Sequence, residues 1–265
     1  PNGTAVLNAA DPLVAAMAAH TPGSVTFFAL SGEEPVLVKH RVEGGRAVFV
    51  RENHIVFADG SREETVLSLA SVPLTRGGHV AFQVENVLAV TAAALALGVP
   101  KDTIREHLEA FLPDMDTSPG RFNFIELDGA TVVVDYGHNP SAVQAVLQAM
   151  ERFPANHRTA VFTAAGDRRD CDMIRQGQLL GAFFDRVILY EDHYKRGRPD
   201  GQIVGLLREG LNAASRVKEV LEVRAFLKAV DAGLATLRPG DLLLVQADTI
   251  DETVDYIRQY LADRA

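Results

Sequence analysis

The sequence predicts an α/β protein whose C-terminal part is a Rossmann-like, mostly parallel, doubly wound sheet. Three observations predict it. Short apolar runs at 131–135, 159–163, 186–190, 216–221 and 242–246 alternate with helix-patterned segments at 141–152, 171–183, 201–212, 223–236 and 251–262. The runs are apolar throughout rather than alternating, as strands covered by helices on both faces require. Between about residues 35 and 75 the texture is different, with Val36, Val38, Val48, Val50, Ile55 and Phe57 in short alternating runs and Gly44-Gly45 and Asp59-Gly60 as hairpin turns between them. That is the pattern of an antiparallel β segment.

Taken in order, Thr4–Asn8 reads as a short strand. Asp11-Pro12 then caps a helix over about 12–20, with Pro at the first helical position. Residues 25–29 read as a buried strand. After the β segment, an apolar helix spans about 83–97. Gly98 ends it and Pro100 follows, the expected C-terminal chemistry. A further helix covers about 102–111. Leu112-Pro113-Asp114 and Ser118-Pro119-Gly120 punctuate the next stretch and place a domain boundary near 116, dividing the chain into 1–115 and 116–265. In the first helix after it, Val143, Val146, Leu147 and Met150 follow the 3.6-residue period.

Composition bounds the function. The 265 residues are 47% hydrophobic and 23% charged, with a net charge of −9. An acidic chain without a basic stripe argues against a nucleic-acid partner. The single cysteine, Cys171, allows neither a disulfide framework nor a Cys-based zinc site and suggests a reducing, cytoplasmic setting. No apolar run approaches the ~20 residues of a membrane helix. The chain starts Pro1-Asn2-Gly3-Thr4 without Met or leader, so it is expected to begin inside a longer protein, with a processed mature terminus as the competing explanation.

Chemistry in a doubly wound sheet is sought at the carboxyl ends of the strands. Four of those ends carry polar clusters. Asp135 closes the first strand, and Gly137-His138-Asn139-Pro140 turns into a helix. A carboxylate there accepts hydrogen bonds from ribose hydroxyls, and the helix start offers free N–H groups. A helix cap with a tight turn is the competing interpretation. The second strand ends in Gly166-Asp167-Arg168-Arg169-Asp170, a ligand loop or an ion-paired loop with a cap. The third ends in Tyr190-Glu191-Asp192-His193-Tyr194-Lys195-Arg196-Gly197-Arg198, which suits a small charged substrate or a solvated loop. The fifth ends in Gln246-Ala247-Asp248-Thr249. Convergence on one edge is stronger than any single cluster. Upstream, Arg121 in Gly120-Arg121-Phe122 is able to grip a phosphate, with a surface arginine as the competing interpretation. No G-x-x-x-x-G-K-[ST] loop occurs, no glycine precedes a lysine, and no histidine set has metal-ligand spacing.

The order of Leu7-Asn8-Ala9-Ala10-Asp11-Pro12, Val84-Glu85-Asn86-Val87-Leu88-Ala89, Pro119-Gly120-Arg121-Phe122, the Asp135–Pro140 run and Gly166-Asp167-Arg168 resembles the Mur ligase superfamily over nearly the whole chain. The stretches VDYGHNP, AAGDRRD, IRQGQLLGAFFDRVILYED and PGDLLLVQAD are most similar to the Mur-ligase-like part of the cyanophycin synthetase family. The resemblance implies that 1–115 is the back half of a central ATPase domain and 116–265 the C-terminal Rossmann-like domain. It implies an ATP-dependent ligase that phosphorylates a carboxylate to an acyl phosphate, which an amine attacks to give an amide. In the cyanophycin type, arginine is joined to the β-carboxyl of aspartate on a polyaspartate primer.

Carried over by position, the resemblance gives Asn86 contact with adenine, Arg121 with the ATP phosphates and Asp135 with ribose. His138 and Asn139 line the nucleotide cleft, and Asp167 and Arg168 the substrate side. The loop from Glu191 to Arg198 is where the incoming amino acid is recognised, and Glu191 and Asp192 are assigned to a guanidinium on charge. Three residues before Asn86, where the family often has Asn, this chain has Gln83. The phosphate loop, the carbamylated lysine and the magnesium ligands are expected outside the chain, so no catalytic set is complete and the piece is expected to be inactive alone. Homo-oligomerisation is left open. A Mur- or folylpolyglutamate-type ligase for another amino acid, or a non-catalytic nucleotide-binding module, are the alternatives.

Overall fold

A computed structural model describes residues 3–191 and 195–263. They form two compact units, Pro1–Leu112 and Pro113–Ala265.

The first unit is built on a five-stranded sheet in the order β1 (Thr4–Asn8), β2 (Ser24–Ala29), β3 (Arg46–Arg51), β4 (His54–Asp59), β5 (Arg62–Ser68). β1, β2 and β3 run parallel, and β3, β4 and β5 antiparallel. Asp11 caps α1 (Pro12–Ala16), its Oδ1 accepting from the N–H groups of Leu13 and Val14 at 2.8 and 3.1 Å. Val36 and Val38 correct the sequence reading, since they lie in a helix, α2 (Pro35–Val42). Parallel neighbours such as β2 and β3 need a crossover between them, and Pro35 at the first turn has the φ a helix start needs. Gly44-Gly45 therefore leads from α2 into β3 instead of closing a hairpin. The β3–β4 hairpin turns on Glu52-Asn53, both at positive φ (48° and 60°), as a two-residue type I′ loop demands. The turn at Asp59-Gly60 joins β4 to β5 as the sequence suggests. α3 (Ala81–Ala96) buries Val84, Val87, Leu88 and Ala92 against Val48, Ile55 and Val66 of the sheet. Gly98, at φ 80°, lets the chain leave it, and α4 (Lys101–Ala110) follows.

The second unit holds a six-stranded sheet. Its strands are β6 (Asn123–Leu127), β7 (Ala130–Asp135), β8 (Arg158–Phe162), β9 (Arg186–Tyr190), β10 (Glu219–Val223) and β11 (Leu242–Gln246), in the order β10-β9-β8-β11-β7-β6. Only β6 is antiparallel to its neighbour. β6 was not among the expected strands, and β10 lies a few residues later than the apolar run at 216–221. The helices are α5 (Pro140–Met150), α6 (Asp170–Phe183), α7 (Gln202–Asn212), α8 (Phe226–Leu234) and α9 (Ile250–Ala262).

α5, α6 and α7 pack side by side. α8 lies on β8, β9, β10 and β11, and its Phe226, Val230 and Leu234 share a core with Ile257 of α9 and with Val134, Val161 and Val245. Residues alternating with these along the strands, such as Val133, Leu189 and Leu244, are as fully buried and face the other layer. The sheet is thus covered on both sides. α5 leaves the end of β7 for one layer, and α9 leaves the end of β11, its hydrogen-bonded neighbour, for the other. Strands whose helices diverge in this way open a crevice at their carboxyl ends. No helix among the described residues is long and apolar enough to cross a membrane.

Candidate functional site

The crevice is built from the strand ends outward. Asp135 ends β7, and its register partner on β11 is Gln246. Its carbonyl accepts from the N–H of Ala247 at 2.8 Å. Its side chain turns inward, and Oδ1 accepts from the N–H of Gly137 at 2.6 Å. A side chain at Gly137 would place its Cβ 2.7 Å from that oxygen, so any larger residue there would have to displace the Asp135 carboxylate from this turn. Burial pushes the Asp135 carboxyl up to about 6, against the lowering effect of the N–H groups of Gly137 and Phe122 and of the Arg121 guanidinium. Such a carboxylate gains from ligand hydroxyls that replace the water it has lost.

Arg121 reaches the site because the segment before β6 is tied down. The buried Asn123 accepts from the N–H of Gly120 at 2.7 Å and donates to the carbonyls of Asp114 and Ser118, both at 3.0 Å. Gly120 at φ 66° and Phe122 at φ 56° make the reversal, and the Gly120 carbonyl accepts from the N–H of Tyr136 at 2.9 Å. The guanidinium of Arg121 then lies over the Tyr136 ring, 5.0 Å from its centroid. The Tyr136 ring meets that of His138 edge-on at 4.6 Å. Arg168 Nη2 sits 3.1 Å from His138 Nε2. Ser118, Arg121, Tyr136 and Asp248 line an open cavity of about 680 Å³.

Asn139 has a definite structural task. It is the N-cap of α5, its Oδ1 accepting from the N–H of Ala142 at 2.8 Å. The helix cap of the competing interpretation therefore falls on Asn139, and the tight turn on Asp135, whose Oδ1 accepts from Gly137.

The loops after β8 and β9 interlock. Gly166 lies so close to the Lys195 backbone that a Cβ would collide with the Lys195 carbonyl. Arg198 donates to the carbonyls of Gly166 and Arg168 at 2.7 and 2.6 Å and pairs with Asp170 at 2.7 Å. Its guanidinium holds the two loops together. Arg196, two residues earlier, points into the crevice instead. It pairs with Asp167 at 3.0 Å and Asp248 at 3.5 Å and reaches the Tyr136 hydroxyl. Against the raising effect of burial, Arg196 and then Arg168 hold the Asp167 carboxyl below the usual range.

Sequence reasoning missed both Tyr136 and Arg196. Their signal was present, an aromatic inside the Asp135–Pro140 run and a cation in the dense polar loop, but nothing in the sequence separated Arg196 from Arg198.

The remaining predicted residues do not join this cluster. Both carboxylate oxygens of Glu191 accept from the N–H of Gly201, at 2.9 and 2.8 Å, at the start of α7. Glu191 also lines a separate cavity of about 460 Å³ with Asp200, Gly205 and Arg224. Asp192 lies outside the described residues, as does His193. Asn86 lies in the first unit, on α3, where its Nδ2 donates to the buried Gln83 at 3.1 Å. It borders an apolar groove of about 490 Å³ between α3 and α4, floored by Val87, Val90 and Ile104. No group of three or more His, Cys, Asp or Glu residues able to hold a metal occurs among the described residues.

Comparison with known proteins shows what this chain is similar to. Residues 120–248 match the model of the Mur ligase glutamate ligase domain. The chain is 33% identical over 262 residues to the cyanophycin synthetase of Synechocystis sp., covering 97% of this chain and 29% of that protein. It is 29% identical to the UDP-N-acetylmuramoyl-L-alanyl-D-glutamate–2,6-diaminopimelate ligase of Geobacter metallireducens, over 92% of this chain and 47% of that one. Among solved structures, a pseudomurein peptide ligase type C from Methanothermus fervidus superposes with a TM-score of 0.65 at 18% identity, covering 96% of this chain and 56% of that chain. At that identity the likeness speaks for the fold. The chain spans about 30% of the length of the cyanophycin synthetases it matches.

Proposed function

The chain belongs to the Mur ligase superfamily, close to the cyanophycin synthetases, and we infer from that membership that it is the nucleotide-facing part of an ATP-dependent ligase joining arginine to the β-carboxyl of aspartate in a polyaspartate chain. The observation that carries the reading is the half-buried Asp135 carboxylate beside Arg121 at the carboxyl ends of a doubly wound sheet.

The residues fit a nucleotide. Asp135, at the carboxyl end of β7, is assigned as the acceptor for ribose hydroxyls. Arg121 presents a planar fork of donors suited to a phosphate. Asn86, with an apolar groove beside it, is assigned to the adenine. His138 and Asn139 line the approach, with Asn139 also fixing the first turn of α5. Asp167 and Arg168 are assigned to the acceptor side. Glu191, Asp192 and Arg198 are assigned to the amino acid, Glu191 and Arg198 through the loop they hold. ATP, when bound, supplies the phosphoryl group that makes the aspartate carboxylate open to attack by an amine. The reading places the phosphate loop and the magnesium ligands in the remainder of a longer protein, so the chain alone is expected not to turn over.

The test is ATP hydrolysis by the full-length protein containing this chain, with a β-Asp-Arg primer. Hydrolysis should depend on arginine, and its independence of arginine would overturn the substrate assignment. The similarity to the diaminopimelate ligase over most of the chain supports a second reading, the same chemistry with another amino acid. A panel of amino acids in the same assay separates the two.

A further inference from the structure

We propose that Tyr136 is a positioning residue for Arg121, with Arg196 holding Tyr136 in place from the loop after β9. The inference rests on the reading that Arg121 meets the nucleotide phosphates. It goes beyond it by naming what keeps that guanidinium aimed.

An arginine on a loop has several rotatable bonds, and its head group is fixed only where something holds it. Here the holder is an aromatic face, with the guanidinium carbon 5.0 Å from the Tyr136 centroid. A guanidinium stacked on a ring keeps its in-plane N–H donors free for a ligand, unlike one already committed to a carboxylate. The ring is itself fixed on two sides. His138 meets it edge-on, 4.6 Å between centroids, and is backed by Arg168 at 3.1 Å. Arg196 reaches its hydroxyl and is anchored on Asp167 at 3.0 Å and Asp248 at 3.5 Å. Tyr136 is therefore the point where groups from the ends of β7, β8 and β11 and from the loop after β9 meet behind Arg121. Arg198 takes no part, because its donors are spent on Gly166, Arg168 and Asp170.

The experiment measures binding of ATP, ADP and adenosine to the 265-residue chain by titration calorimetry. Arg121→Ala should abolish most of the preference for ATP over adenosine. Tyr136→Leu should weaken ATP binding about tenfold, the scale of a lost cation–π platform, and leave adenosine binding within about twofold. Tyr136→Phe, which keeps the ring, should recover most of the loss. Arg196→Met should weaken ATP about threefold when Arg121 is present and have no effect in the Arg121→Ala background, a non-additivity that a purely structural role would not produce. If Tyr136→Leu does not fold, the Arg196→Met pair decides alone. Loss of ATP preference in Arg121→Ala together with unchanged binding in the Tyr136 and Arg196 variants overturns the inference. An Arg121→Ala chain that still prefers ATP, or a full-length protein containing this chain that binds no nucleotide, overturns the reading beneath it.

Discussion

Asp135 accepts a hydrogen bond from the N–H of Gly137 two residues on, at 2.6 Å, in a tight turn that leaves its carboxylate largely withdrawn from water. The arrangement has a measurable consequence for pH. The folded carboxyl titrates at about 6, above its ordinary 3.8. Below pH 3.8 both folded and unfolded chains hold the proton, and burial is not penalised. As pH rises through 3.8 towards 6, the unfolded chain releases the proton first and the folded state loses stability, by about 1–3 kcal/mol at pH 7. Asp135→Asn should therefore be more stable than the parent at pH 7, with the advantage gone below pH 4. Denaturant midpoints of the second unit at the two pH values check this.

A second expectation concerns Asn139, whose side chain caps α5. Asn139→Ala should cost about 1 kcal/mol, in the range of lost N-caps, and Asn139→Asp should restore it. Chemical denaturation of the two variants is the measurement. Equal stability of Ala and Asp would remove the capping role.

Arg198 joins two loops through three acceptors. Arg198→Met strands the carbonyls of Gly166 and Arg168, and the expected loss is about 1–3 kcal/mol. Arg198→Lys should recover less than half of it, because an ammonium lacks the flat fork that serves several acceptors at once. Amide hydrogen exchange in residues 164–169 reads the effect locally and should quicken in both variants.

A fourth expectation lies in the packing of α6 on α7. A Cβ at Gly177 would run into the Leu207 carbonyl, and one at Gly210 into that of Ile174. Gly177→Ala should force the helices apart and destabilise the unit by about 1–3 kcal/mol, although alanine favours an isolated helix. A rise in melting temperature would contradict the close approach.

Much of the second unit was legible in the sequence because a strand buried on both faces is apolar without interruption. Runs such as Val132-Val133-Val134 and Leu242-Leu243-Leu244, short and set between turn signals, are of this kind. β6 was not legible, since Asn123-Phe124-Ile125-Glu126-Leu127 is an edge strand of mixed character. α2 was misread for a related reason. Val36, Leu37 and Val38 look like strand, yet Leu37 alone of its helix is buried, and the parallel pairing that demands a helix there is a fact of tertiary structure. In the site, Asp135 was visible as a carboxylate at a strand end and Arg121 as an arginine in the segment before the sheet. Arg196 and Arg198 were not separable, because two residues apart in an extended loop would face the same way. Positive φ at Arg196 (51°) and Gly197 (89°) turns them to opposite tasks.

The tie of Asn123 to Gly120, Asp114 and Ser118 also bears on the thermodynamics of recognition. A phosphate captured by a floppy loop must freeze that loop, at roughly 1–2 kcal/mol of backbone entropy for each residue ordered. The Pro119–Phe122 segment is ordered before any ligand arrives, fastened to the same sheet as Asp135. Little of Arg121's interaction energy is then consumed in ordering its backbone, and the contact is preorganised. Calorimetry on Asn123→Ala should show this as a less favourable binding entropy, with the enthalpy of phosphate contact largely kept.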